Sequence, residues 1–158
     1  MSENRDQNHF DLKDLISLDT VRSKKSPSSW EEAVEQVGEL LVNAGKVKPA
    51  YINAMKRVFK EMGPYAVIAP GIVLLHASPD DGVLSPSVGL ITLSNPIEFG
   101  HSENDPVDIV IAFGAIDKHA HIAALKALAE LLADHCYLQK IRSAQTDRDL
   151  LHAIVDEF

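Results

Sequence analysis

Hydrophobic positions along this chain follow two different rhythms, and the points where the rhythm changes mark its elements. Trp30, Ala33, Val34, Val37, Leu40, Leu41 and Ala44 recur at spacings of three and four, which puts them on one stripe of a helix. Ser29-Trp30-Glu31-Glu32 has the spacing of a capping box at its start, and Gly45 stops it. Pro49 opens a second helix with Tyr51, Ala54, Met55, Val58, Phe59 and Met62 on one face, closed by Gly63-Pro64. The period then shortens. Residues 65–69 and 72–75 read as two short buried strands broken at Pro70-Gly71. Residues 87–94 read as a strand ending at Asn95-Pro96, and Val107 to Gly114 as a buried strand after the polar loop 100–106. Asp117 has the character of an N-cap for a helix carrying Ile122, Leu125, Leu128, Ala129 and Leu132. Thr146 and Asp149 open a last helix with Leu150, Leu151, Ile154 and Val155. Ahead of all these, residues 11–18 predict a short helix and 20–23 a brief extended segment, before the turn cluster Ser26-Pro27-Ser28.

Helices before, between and after strands imply a sheet covered on both faces, an α/β sandwich. Strand order is not readable from the pattern. A chain of 158 residues with no internal repeat and no long linker is expected to form one domain. Its boundaries are read as 11–158, with residues 1–10 a polar, aperiodic and flexible tail.

Charge and composition narrow the partners. Fifteen basic against 23 acidic residues give a formal charge of -8, which repels phosphate backbones and argues against nucleic acid. There is no long apolar span for membrane insertion, and the single Cys136 excludes an internal disulfide framework, so the expected compartment is the cytoplasm. Several templates fail. Gly45-Lys46 lacks the rest of a P-loop, no G-x-G-x-x-G follows a strand, and no G-x-S-x-G elbow exists. Cys136 is expected in a helical, buried setting without an activated thiol.

Histidine is the remaining candidate for chemistry. His76 ends the apolar run that begins at Tyr65 and is followed at once by the polar turn Ala77-Ser78-Pro79-Asp80-Asp81-Gly82. That places it at the rim of a sheet, where such a residue is either incidental or functional. Imidazole titrates near neutrality, so its neutral form can attack phosphorus and hold a phosphoryl group covalently. His121 lies just beyond the strand Val107 to Gly114, so both rings could meet at one sheet edge. On spacing alone His121 is a polar residue in the first turn of a helix, and His119 reads the same way. His9, His135 and His152 look like tail or helix-surface residues. His101, with Glu103, Asp105 and Asp108, belongs to an acidic loop that could be a solvated face, a divalent-ion site or a recognition element.

Taken together, several segments carry a family resemblance. Gly63-Pro64-Tyr65-Ala66-Val67-Ile68-Ala69-Pro70-Gly71, His76, Pro79-Asp80-Asp81-Gly82-Val83, Leu93, Pro96, Glu98-Phe99, Asn104-Asp105-Pro106-Val107-Asp108-Ile109, Asp117 and His121 resemble the enzyme IIA component of the bacterial phosphoenolpyruvate:sugar phosphotransferase system. The likeness is to its mannitol/fructose superfamily, closest to the ascorbate-type branch, and runs from about Trp30 to the C-terminus. It implies a mixed β-sheet with helices packed on both faces. It also implies His76 as the phosphorylated histidine and His121 as the second active-site histidine, with no cofactor and no metal. The implied reaction is a relay: His76 takes a phosphoryl group from the phosphocarrier HPr, on Nε2, and passes it to a cysteine of a cognate EIIB. EIIB in turn phosphorylates the sugar during uptake through a membrane EIIC.

Two departures stand out. The family places Pro before the active histidine and Gly or a small residue after it, whereas here Leu75 precedes and Ala77 follows. The mannitol branch carries an arginine in the preceding helix, where this chain has Val58, and Arg57 lies about 100 degrees of rotation away. Two other readings compete with sugar transport. One is a regulatory phosphohistidine module like the nitrogen-related members of the superfamily. The other is a metal-dependent hydrolase built on His76, His119, His121 and an acidic residue.

Overall fold

The computed structural model describes residues 12–155, so the expected tail and its boundary at residue 10 lie outside the described residues. A short helix α1 (Leu12–Leu15) and a single 3-10 turn (Leu18–Thr20) lead into β1 (Val21–Lys25). Two long helices follow, α2 (Trp30–Asn43) and α3 (Ala50–Met62), and then the hairpin of β2 (Val67–Ala69) and β3 (Ile72–Leu75). β4 (Ser87–Ile97) and β5 (Val107–Gly114) complete the strands, and α4 (Lys118–Leu131), α5 (His135–Ser143) and α6 (Asp147–Val155) the helices. The sheet runs β1-β4-β5-β3-β2. β1 pairs parallel with β4 and β3 parallel with β5, while β4 with β5 and β2 with β3 are antiparallel, so the sheet is mixed as the resemblance implied.

Successive residues of a strand face opposite sides, and that alternation builds two cores. Val73, Leu75, Ile91, Leu93, Val110 and Ala112 pack under α2 and α3 with Val34, Leu41, Tyr51 and Met55. Ile72, Leu74, Val88, Leu90, Ile109, Ile111 and Phe113 pack on the other face with residues of α4, α5 and α6. His76 continues the parity of Ile72 and Leu74, so its side chain emerges on the α4 side. That parity decides which helix it meets.

Local signals were realised with some changes. Ser29 caps α2 by accepting from the Glu32 amide, but the Glu32 carboxylate turns to the Ser28 hydroxyl, so only half of the capping box forms. β4 does not stop at Asn95-Pro96 but continues to Ile97. The register shifts between Thr92 and Ile97, and Ser94, Asn95 and Pro96 are exposed, so the proline occupies an irregular stretch where no ladder bond is demanded of it. The first strand of the hairpin is the sheet edge rather than a buried element: Ile68 is 40% and Tyr65 before it 81% exposed. On α3, Met62 is solvent-facing in the last turn. α4 is rolled from its expected face, with Ala124, Leu128 and the capping Leu132 buried and Ile122 and Ala129 exposed. His121 shares the inward line with Ala124 and Leu128, spaced three and four apart.

Helix α5 answers the helical setting expected for Cys136, to which the hydrophobic pattern gave no bounds. Its sequence is mostly polar, and its burial rests on Tyr137, Leu138 and Ile141 alone. Asp134 caps it by accepting from the Cys136 and Tyr137 amides. Cys136 itself is exposed, which corrects the buried setting expected for it; the first turn of a helix capped in solvent leaves that side chain outside. α5 supplies Arg142, whose guanidinium meets Asp108 twice, at 2.9 and 3.0 Å, and donates to the Pro70 carbonyl at 3.1 Å.

Candidate functional site: two imidazoles at the end of a parallel ladder

The hairpin that ends at His76 is held from the opposite end by the acidic loop. Gly71 adopts φ of +80 and donates to the Asn104 carbonyl, the Asn104 side chain donates to the Val67 carbonyl, and the Ile109 amide returns a bond to the Gly71 carbonyl. The Asp105 carboxylate accepts from the amides of Phe99, Gly100 and His101, and His101 Nδ1 accepts from those of Glu103 and Asn104. Asp105 and Asp108 are thus engaged inside the fold, the first by the loop backbone and the second by Arg142. For Asp105 and Asp108 this corrects the first reading of the loop as a solvated face, while Glu103 remains exposed. No group of three or more His, Cys, Asp and Glu placed to hold a metal ion occurs among the described residues.

At the far end of β3 the two predicted histidines come together. The ring centroids of His76 and His121 lie 4.9 Å apart at 70°, nearly edge to face. Phe113, at the end of β5, packs 5.2 Å from each of them. His119, by contrast, is exposed on the outer side of the first turn of α4. Asp117 caps that helix through the Ala120 amide at 2.8 Å, as expected, and so fixes where His121 begins its inward line.

The rings look into a cleft of about 490 Å³. Val58, Ala77, Pro79 and Ile116 give it an apolar wall, while Ser78, Asp80, Asp117 and Lys118 form its polar rim. Val58 faces this space, and Arg57, rotated away, approaches Asp81 at 3.7 Å across the rim. Lys118 is the feature that sequence reasoning passed over. It is the one lysine or arginine in the cleft lining, and its signal was its position directly after the Asp117 cap.

Electrostatically, both rings are held below the ordinary imidazole value. For His76 the main cause is burial, followed by the neighbouring His121, while the Leu74 carbonyl works in the opposite direction. Burial alone lowers His121. Neutral imidazoles at neutral pH retain a lone pair for nucleophilic attack. His76 Nδ1 is sealed from solvent and makes no hydrogen bond of good geometry, the Leu74 carbonyl being near enough only to favour a charged ring. With Nδ1 sealed, Nε2 is the nitrogen left to meet a group entering the cleft that the ring lines.

Comparison with known proteins gives this fold and chain a family. Residues 14–157 match the profile described as "Phosphoenolpyruvate-dependent sugar phosphotransferase system, EIIA 2". The chain belongs to that family. The match begins ahead of Trp30, within α1, and so extends the likeness through β1. The EIIA chain is 36% identical over 141 residues to an ascorbate-specific PTS system EIIA component of Salmonella typhi, covering 89% of this chain and 92% of the other. It superposes on the mannitol-specific cryptic phosphotransferase enzyme IIA CmtB of Escherichia coli with a TM-score of 0.80 at 28% identity, covering 93% and 99%. The same fold occurs in the enzyme IIA of a complex with phosphorylated enzyme IIB for mannitol, also from Escherichia coli, at a TM-score of 0.77 and 22% identity, covering 89% and 97%. The protein is accordingly a component of a sugar phosphotransferase system. No helix among its described residues is long and apolar enough to cross a membrane.

Proposed function

We propose that His76 is the phosphoryl acceptor of this EIIA, taking the group from HPr and passing it to a cysteine of a cognate EIIB during uptake of an ascorbate-like sugar. The observation that carries this reading is the arrangement at His76 itself: Nδ1 sealed, the ring lining the cleft, and a second imidazole against it. Attack by the Nε2 lone pair forms a P–N bond as the P–N bond to the donor histidine breaks. The hydrogen stays on Nδ1, and the ring becomes cationic with the Leu74 carbonyl facing it. Transfer to the EIIB thiolate forms a P–S bond as the P–N bond to His76 breaks and the ring returns to neutral, so no proton need cross the cleft.

The migrating group carries negative charge on its equatorial oxygens, and catalysis consists mainly of positioning and charge stabilisation. His121 can donate a hydrogen bond, and Lys118 supplies a full positive charge where two neutral imidazoles do not. Apolar walls let a docked partner exclude water from the transfer. The ascorbate-specific relatives support the substrate class, and the mannitol complex supports direct docking with EIIB.

Incubation with phosphoenolpyruvate, enzyme I and HPr tests the proposal. Intact mass should show one added phosphoryl group, lost in acid and absent from His76→Ala. An unphosphorylated chain under conditions that phosphorylate HPr would refute it.

A further inference from the structure

The parallel ladder between β3 and β5 ends in an unusual way. Its register runs from Ile72 opposite Ile109 to Leu75 opposite Ala112, and its phase is set by the Ile109 amide bonding to the Gly71 carbonyl. In that phase, bonds recur every second residue, and the next one after Leu75 would run from the Ala77 amide to the Phe113 carbonyl. The bond is not made directly. The Tyr51 hydroxyl stands between the two groups, accepting from the Ala77 amide at 3.0 Å and donating to the Phe113 carbonyl at 2.8 Å. A second contact to the Ala77 carbonyl is longer, at 3.4 Å, so the single hydroxyl hydrogen belongs to Phe113.

Tyr51 is fully buried on α3, on the face of the sheet opposite the histidines. Its hydroxyl therefore reaches the ladder from behind. Inserting an oxygen atom into a rung separates the strands by more than a direct bond would allow, and it does so immediately beside His76 and Phe113. The Phe113 ring contacts both imidazoles. A change in strand spacing here is transmitted to all three rings.

We infer that the Tyr51 hydroxyl is a positioning group for the transfer reaction: it wedges β3 from β5 and so sets the separation and tilt of His76 and His121. The inference rests on the reading of His76 as phosphoryl acceptor. Burial and the nearby Asp81 charge push the Tyr51 hydroxyl up to about 12, against the Ala77 backbone bond, so it stays protonated and able to donate throughout the working pH range. A phenylalanine would fill the same space and remove the wedge, leaving the amide and carbonyl to close on each other or remain unpaired.

Tyr51→Phe is the test, with Tyr51→Phe and unsubstituted protein compared in the HPr-dependent assay and by NMR. A purely structural tyrosine would lower stability and leave the imidazoles alone. The wedge predicts changed titration midpoints for His76 and His121, an unchanged KM for HPr, and a transfer rate constant lower by roughly 10- to 100-fold, the scale expected for misplacing a reacting group by about 1 Å. Equal rates and equal titrations would overturn it. Should the variant fail to fold, the unsubstituted protein decides: a slowly exchanging Tyr51 hydroxyl proton with a cross-peak to the Ala77 amide supports the wedge, and its absence refutes it. If the unsubstituted protein accepts no phosphoryl group, the acceptor reading fails, whereas the titrations and the hydroxyl proton still judge the wedge.

Discussion

His76 and His121, separated by 45 positions in the chain, lie with ring centroids 4.9 Å apart because β3 runs parallel to β5 and ends beside the end of β5 from which α4 follows. With His76 as the proposed acceptor, His121 would aid transfer rather than carry the group. His121→Gln is expected to leave a protein that still becomes phosphorylated, but about 100-fold more slowly, the usual scale for loss of one positioned donor. Quench-flow measurement of phosphoryl gain would check it; complete loss would assign His121 a covalent role instead.

Acidity should act on both rings with a defined sign. Their folded values lie below the ordinary 6.5, so as pH falls the unfolded chain takes up protons first. The stability linked to these neutral rings is complete above about 6.5 and is lost as pH falls from there through the folded values. Phosphoryl acceptance should hold its plateau below 6.5 for the same reason. Imidazole NMR titration and denaturant midpoints across pH 5 to 8 would show it, and a midpoint above 6.5 for His76 would contradict it.

Lys118 should matter through its charge. Lys118→Gln is expected to slow transfer several-fold while Lys118→Arg retains most of the rate, since a cation at the rim offsets the charge of the migrating group. Stability should barely change in either case because the side chain is exposed. Stopped-flow rates for the two variants would distinguish charge from shape.

The net charge of -8 predicts that association with HPr is steered electrostatically. Raising ionic strength should lower the association rate and leave dissociation nearly unaltered. An association rate indifferent to salt would remove charge from the recognition.

Gly71→Ala is expected to destabilise the fold by about 1–3 kcal/mol, as left-handed strain and close contact combine. At φ of +80 an added Cβ would stand 2.6 Å from Arg142 Nη2 and 2.7 Å from Asp108 Oδ1. The guanidinium pair that anchors the hairpin would have to shift. Denaturant unfolding would measure the loss, and a variant as stable as the parent would show that the pair yields freely.

Much of this was legible in order along the chain. The stripes of α2 and α3, the strand Val107–Gly114, the break at Pro70-Gly71 and the Asp117 cap are local consequences of period and of special residues. Departures arose where context overruled local rules. Pro96 was tolerated in a bulged stretch, Ile68 and Tyr65 fell on an edge, α4 rolled to point His121 inward, and α5 gained its burial from neighbours far away in sequence.

By itself the sequence determined which segments would be helix or strand and which residues could carry a phosphoryl group, because periodicity, capping and imidazole chemistry act over a few neighbours. Only the tertiary structure decided that His76 faces α4, that Lys118 joins its cleft, that Asp105 and Asp108 are consumed as internal anchors, and that Tyr51 interrupts a ladder behind the site. Those outcomes depend on strand order, register and helix roll, which are fixed by contacts between residues tens of positions apart and leave no periodic trace in the chain.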